Sequence, residues 1–169
     1  RRVLFRSPDD SDSESYRACF DLIARPGSMK SLTGSALLSA LRNGDMGTLA
    51  ALRTAASFQA KAALAMGPDE WISARLFERL ISRFHLTNIR AVLPEGSSNF
   101  WNPFVESMLD RKPPSWEFFP SQIEAIERGL LQRPDTFALQ MPTGAGKTAL
   151  FETLLYRHAK RTESAVAIL

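Results

Sequence analysis

The sequence predicts a mixed fold, in which an all-α region over residues 8–112 is followed by the start of an α/β parallel-sheet domain over residues 113–169. Apolar residues recur at helical spacing in several segments of the first region. A short apolar segment, a Gly-rich loop and an amphipathic helix then follow one another over residues 136–160, the order found around phosphate-binding loops. Residues 164–169 predict a second strand of the same sheet, and we therefore interpret the chain as a fragment of a longer protein.

Composition places the chain among ordinary globular proteins. It has 169 residues, of which 44% are hydrophobic and 23% are charged. Cys19 is the single cysteine, which excludes an intrachain disulfide and a cysteine cluster for zinc. No apolar run approaches the roughly 20 residues of a membrane span, and no signal peptide is visible. We therefore expect a cytoplasmic protein without a membrane partner.

The formal net charge of +3 depends on the first residues of the chain. Residues 1–7 resemble the conceptual translation of a sequencing adapter and are interpreted as an artefact; a genuine basic arm is the alternative. Without their three arginines the 21 basic residues fall to 18, equal to the 18 acidic ones. Charge alone therefore gives no argument for a nucleic-acid partner.

The first region predicts a bundle of four or five helices. Apolar stripes and stop signals place helices over residues 16–24, 29–42, 48–66, 70–84 and 105–110. Asn43 and Gly44 end the second helix, Asp45 caps the third and Asp69 caps the fourth. Residues 89–93 are ambiguous between strand and loop. The stretch 111–114 contains two prolines and predicts the linker between the two domains.

An aromatic stretch lies at the end of the first region. Residues 100–104 contain two phenylalanines and a tryptophan, and they predict packing between the two halves of the chain. A base-stacking platform is the functional alternative. Residues 121–132 then predict a helix in which Ser121 and Glu124 have the spacing of a capping box.

The chemistry that the sequence indicates is concentrated in residues 141–148, a loop between a strand predicted over residues 136–140 and the helix that follows. Gly144 and Gly146 permit a sharp turn that brings backbone N–H groups close to phosphate oxygens. Lys147 is expected to reach the β- and γ-phosphates, and the Thr148 hydroxyl to hold Mg²⁺. The ligand-binding residues predicted within the loop are Thr143, Gly144, Ala145, Gly146, Lys147 and Thr148.

The residues Pro-Thr-Gly-Ala-Gly-Lys-Thr at 142–148 resemble the first motif of the superfamily 2 helicases, the DEAD/DEAH-box and related enzymes. The segment 118–126, with Gln122 at 25 residues before Lys147, resembles their upstream adenine-reading element. The resemblance covers roughly residues 115–169. It implies a RecA-like domain that binds ATP and Mg²⁺, with the Gln122 amide on the adenine edge and Phe118 or Phe119 stacked on the base.

The same resemblance implies ATP hydrolysis coupled to unwinding or remodelling of RNA or DNA by the intact parent, with Lys147 as its catalytic residue in this chain. The carboxylate and arginine that hydrolysis also needs are expected beyond residue 169, so the fragment alone is expected to be inactive. Two alternatives stay open at this point. One is another phosphate-loop NTPase, and the other is a non-enzymatic helical interaction module whose loop is degenerate at Met141.

Overall fold

A computed structural model describes residues 7–9, 11–24, 30–133 and 138–161 of the chain. Every regular element in these ranges is a helix. The α-helices are α1 (Glu14–Ala24), α2 (Leu32–Asn43), α3 (Met46–Ala62), α4 (Pro68–Thr87), α5 (Ile89–Val92), α6 (Asn102–Leu109), α7 (Pro120–Glu127) and α8 (Lys147–Arg161). Short 3-10 turns at Ala63–Ala65 and Asn99–Trp101 extend α3 and precede α6.

The α/β fold class predicted for residues 113–169 is wrong for the part of that region that the structure describes. Residues 138–140 are exposed coil rather than the end of a buried strand. A parallel strand needs hydrogen-bonding neighbours and covered faces, and the described ranges supply no second strand. Residues 134–137 and the strand predicted at 164–169 lie outside them.

Local signals place the helices of the first region. The Ser31 hydroxyl accepts the N–H of Gly34 at 3.0 Å and begins α2. Gly44, with φ of +71°, ends that helix in the left-handed conformation that favours glycine. Asp45 then begins α3 by accepting the N–H of Thr48 at 2.9 Å. The predicted helix stop at Gly44 and the predicted cap at Asp45 are both confirmed.

Several predicted boundaries differ from the observed ones. Helix α4 begins at Pro68 after Gly67, so Asp69 lies in its first turn instead of capping it. Residues 89–93, ambiguous in the sequence, form α5 because the Asn88 side chain accepts the N–H of Ala91 at 2.9 Å and begins a helical turn. Helix α7 ends at Glu127, five residues before the predicted end.

The helices enclose a common hydrophobic core. Helices α3 and α4 pack against each other, α1 packs on α4, and α2 packs on α1, α3 and α6. The buried core extends from these helices to residues beside the loop, including Met141 and Leu150. The second half of the described chain is therefore packed against the first, and the domain boundary predicted at residues 112–113 stays a prediction.

Arg90 is a buried cation at the centre of the helical region, with 2% of its surface exposed. Its guanidinium donates to five oxygen atoms, which belong to Leu41, Arg42, Gly96, Ser98 and Asn102. Four of the five acceptors are backbone carbonyls, and two of these belong to the last turn of α2, where regular helical donors end. The N–H of Gly44 also reaches the Leu41 oxygen, at 3.4 Å. Arg90 therefore stabilises the end of α2 and the loop before α6 simultaneously.

Helix α8 is docked on the helical region through Tyr156. The Tyr156 hydroxyl donates to the carbonyl oxygen of Phe100 at 2.7 Å, and its ring contacts those of Phe100, Trp101 and Phe104. Arg111 and Glu152 add an ion pair at 2.8 Å. The prediction that residues 100–104 pack the two halves together is confirmed. Trp101 and Phe104 are buried, so they cannot form the alternative base-stacking platform.

Candidate functional site

The loop over residues 142–146 leads directly into α8, which begins at Lys147. Gly144 and Gly146 have φ of +83° and +76°, a conformation that other residues adopt only with strain. A Cβ at Gly144 would meet no atom within 4 Å, whereas a Cβ at Gly146 would overlap with the Gln122 amide. Glycine is thus required at 144 by the backbone and at 146 by the backbone and by packing.

The polar side chains of the loop lie at the surface. Thr143, Lys147 and Thr148 are all exposed, and Ala145 is half-buried. The Lys147 ammonium donates to the carbonyl oxygen of Met141 at 3.0 Å. This hydrogen bond holds the lysine side chain against the beginning of the loop. An anion at the start of α8 would meet the positive end of a helix dipole, and the nearest residue there, Lys147, is a cation.

Gln122 lies beside this loop although it is distant in sequence. Its side-chain oxygen accepts the N–H of Phe119 at 2.6 Å, and its amide nitrogen donates to the carbonyl oxygen of Gly146 at 2.6 Å. Only 2% of its surface is exposed. The described role of Gln122 is therefore to begin α7 and to tie it to the loop, and the capping box predicted for Ser121 and Glu124 does not form. Adenine recognition by Gln122 stays a prediction.

The two candidate stacking residues differ in position. Phe118 is buried in the core, with 2% of its surface exposed. Phe119 is 55% exposed and lies against the loop, where a Cβ at Gly146 would be 3.1 Å from its ring. Of the two aromatic residues, Phe119 is accordingly the one available to a ligand at the loop.

In the described ranges, no three His, Cys, Asp or Glu residues lie together in a group that could hold a metal ion. The predicted role of Thr148 toward Mg²⁺ needs no such group, because a phosphate ligand would supply the remaining oxygens. That role stays a prediction. Burial raises the pKa of the Cys19 thiol to about 12, so Cys19 behaves as a small apolar core residue.

A surface that the sequence did not predict lies where α3 meets α4. We call Phe58, Leu64, Met66, Trp71 and Ile72 the hairpin tip; the first three are 73%, 69% and 71% exposed. The helices touch beneath it through a separate small cluster of Ala60, Ala63 and Ala74. The Ala-rich composition of α3 was the signal available in the sequence. Alanines let α4 approach α3 closely, and the larger side chains nearby then stay at the surface. Leu64, an apolar residue whose type favours burial, is a member of the exposed tip.

None of the described helices combines the length and the apolar character that crossing a bilayer requires.

Comparison with known proteins gives one distant similarity. No family model matches the chain, and no solved structure matches it. A "Hachiman protein HamB" of Bacillus cereus is 27% identical over 103 residues, which are 60% of this chain and 9% of HamB. The chain thus corresponds to a small part of the length of that relative, and the similarity is too low to establish a family.

These findings correct the assignment to the superfamily 2 helicases. That assignment required a RecA-like parallel sheet around the loop, and the described residues on both sides of the loop contain no strand. The comparison returned a Hachiman protein. The predicted assignment of the loop as the Walker A motif of a P-loop helicase also depends on that sheet, and it is wrong for the same reason. The individual predicted ligand-binding residues are a separate question, which neither finding tests.

Proposed function

We propose that this chain is a helical interaction module of a HamB-like anti-phage defence protein, and that it acts by binding a protein partner. The similarity to HamB over 103 residues supports the relationship. The exposed hairpin tip is the single observation that carries the binding role. Large exposed apolar patches on otherwise polar surfaces commonly mark protein contacts.

The composition of the hairpin tip suits a protein interface. Aromatic residues and methionine are enriched at the centres of such interfaces, and the tip contains two aromatic residues and Met66. Burying these side chains against a partner would contribute roughly 25 cal/mol per Å² of apolar surface. Because none of the hairpin-tip side chains belongs to the main core or packs against it, their removal should leave that core intact.

The test is a plaque assay on cells that carry the gene of the longer protein together with its neighbouring genes. The double substitution L64E/M66E is introduced into that gene. Phages that form few plaques on cells with the unaltered genes should form as many on the variant cells as on cells without the genes. The matched control is A51E, which adds a carboxylate to another exposed position of α3. Equal protein amounts must be verified. Full protection by L64E/M66E would overturn the proposed function.

A second candidate function is favoured by the geometry of the loop, where two glycines with positive φ precede the N-terminus of a 15-residue helix. It is the binding of ATP with Mg²⁺, with Lys147 on the phosphates, Thr148 on the metal ion and ATP hydrolysis in the longer protein. Titration calorimetry with Mg²⁺ and ATP tests it. Loss of the binding heat in K147A but not in K160A, at the other end of α8, is the expected result. Equal heats for both variants would remove the candidate.

Nucleic acid as a partner and a cytoplasmic location remain predictions from the sequence. No described contact bears on either, and the experiment below includes a nucleic-acid arm.

A further inference from the structure

The outward side of α4 carries a row of arginines. Arg75, Arg79 and Arg83 follow one another at i, i+4 and i+8, which places them on one side of a helix. The buried residues of α4 lie on its other side, and they are Ala74, Phe77, Ile81 and Phe84. The arginine row is therefore directed away from the core, and all three of its members are exposed.

The charge of this row is only partly balanced inside the chain. Arg75 pairs with Glu78 on the same helix, and Arg83 pairs with Glu117 at 3.5 Å. Arg79 forms no ion pair with any residue in the described ranges. Like charges at i, i+4 destabilise a helix by roughly 0.2–0.5 kcal/mol per pair. The row thus costs α4 some intrinsic stability and leaves its central guanidinium available to an external anion.

Large apolar residues lie on the same side of the helix. Ile72 and Leu86 are 56% and 68% exposed, and each lies seven residues, or about two turns, from Arg79. Trp71 is the neighbour of Ile72 in the chain and is 37% exposed. Together with the three arginines, these residues form what we call the α4 outer face. Its apolar side chains lie toward the two ends of α4, and the three arginines lie between them.

We infer that the α4 outer face binds an acidic, amphipathic segment of a partner protein. Carboxylates of the segment would form bidentate pairs with Arg79 and its neighbours, and apolar residues of the segment would cover Ile72 and Leu86. Arginine and tryptophan are the residue types that most often dominate the energy of such interfaces. This inference rests on the proposed function and names the chemistry of the partner.

Charge complementarity of this kind suits a protein segment better than a phosphate backbone or a lipid surface. A phosphate backbone would gain nothing from Ile72 and Leu86, whereas the apolar residues of an amphipathic segment would cover both side chains. An interfacial helix needs a free apolar side, separate from its basic side. The apolar side of α4 is already buried in the core.

The test uses the purified chain and a display library of random peptides of about 20 residues, enough for a 30 Å helix. Peptides selected on the unaltered chain should be enriched in Asp and Glu, with apolar residues every three or four positions. A selected peptide should bind R79E about tenfold more weakly, a loss of about 1.4 kcal/mol. R128E, which changes an exposed arginine on another surface, should bind it as tightly as the unaltered chain.

A further variant keeps the result interpretable. R75Q/R79Q/R83Q removes the row without placing carboxylates beside Glu78 or Glu117, and circular dichroism verifies that it folds. Selection of peptides without acidic enrichment, or equal binding by R79E and the unaltered chain, would overturn the inference. Duplex DNA or phosphatidylserine vesicles that bind at physiological ionic strength and are lost in R79E, with no acidic peptide selected, would also overturn it.

Failure of this inference can be separated from failure of the proposed function by the plaque assay. If L64E/M66E abolishes protection while R79E selects and binds peptides as the unaltered chain does, the module stands and the acidic partner does not. If L64E/M66E protects fully, the proposed function fails, and the inference fails with it.

Discussion

Replacement of Arg90 by methionine should destabilise the fold more than replacement of any exposed arginine. Methionine approximates the length of the aliphatic part of arginine and removes the guanidinium, which donates to five oxygens at 2.5–3.4 Å. The acceptors remain buried or partly buried after the substitution. Two of them are the carbonyls of Leu41 and Arg42 in the last turn of α2, where regular helical donors end; the N–H of Gly44 is a second donor to the Leu41 oxygen, at 3.4 Å.

The magnitude follows from the cost of the oxygens left without a donor. A buried group that loses its partner costs roughly 1–3 kcal/mol. Part of this cost is offset, because the methionine variant does not have to remove a charged guanidinium from water when it folds. Burial lowers the pKa of Arg90, an indication that its charge is incompletely compensated, although Glu106 opposes this effect. We expect a net loss of about 3–5 kcal/mol, similar to breaking a buried ion pair from one side.

The measurement is the free energy of unfolding of R90M in urea, together with its thermal midpoint. For a chain of this size the expected loss lowers the midpoint on the order of 10 °C. R128M is the matched control, because Arg128 has 77% of its side chain exposed and surface changes stay within about 0.5 kcal/mol. A loss below about 1 kcal/mol for R90M, with an unchanged denaturant slope, would refute the reasoning.

Three other predictions concern stability and use the same unfolding measurements. G96A should lose about 1–3 kcal/mol or more, because a Cβ there would overlap with the carbonyl of Arg90; an unchanged midpoint would contradict this packing. Burial lowers the pKa of His85 below 6.5, so the unfolded state binds more protons and stability should fall as the pH drops below about 6.5. H85Q should reduce that decrease, and an identical pH profile would count against it. Y156F should lose about 1 kcal/mol with the hydrogen bond to Phe100, whereas equal stability would show that this hydrogen bond does not contribute to the docking of α8.

The helices were predictable where the signal is local. Gly44 and Asp45 end one helix and begin the next through contacts within a few residues, and the structure contains both as expected. Residues 89–93 were not predictable, because the segment is too short for a periodic pattern. Its helical turn depends on Asn88, which is buried and paired with Glu117 in an isolated β-bridge across the chain.

The residues of the candidate site could be chosen from the sequence, but their detailed contacts could not be predicted from it. The glycines at 144 and 146 have the positive φ that the loop chemistry anticipated. The sequence also placed Gln122 near the loop, and the amide does reach Gly146. The oxygen of the same amide accepts the N–H of Phe119, and no spacing rule indicates this contact. The missing sheet could not be judged from one apolar segment, because a strand exists only with neighbours.

By itself the sequence determined the longer helices of the first region and the glycine positions 44, 144 and 146, since these depend on local hydrogen bonds and on backbone sterics. Only the tertiary structure decided which apolar side chains are covered. Leu64 lies outside the core and Arg90 inside it, in the reverse of what their polarity indicates. The physical reason is that alanines bring α3 and α4 together beneath Leu64, whereas the carbonyls at the end of α2 create a buried site that only a fork of donors can satisfy.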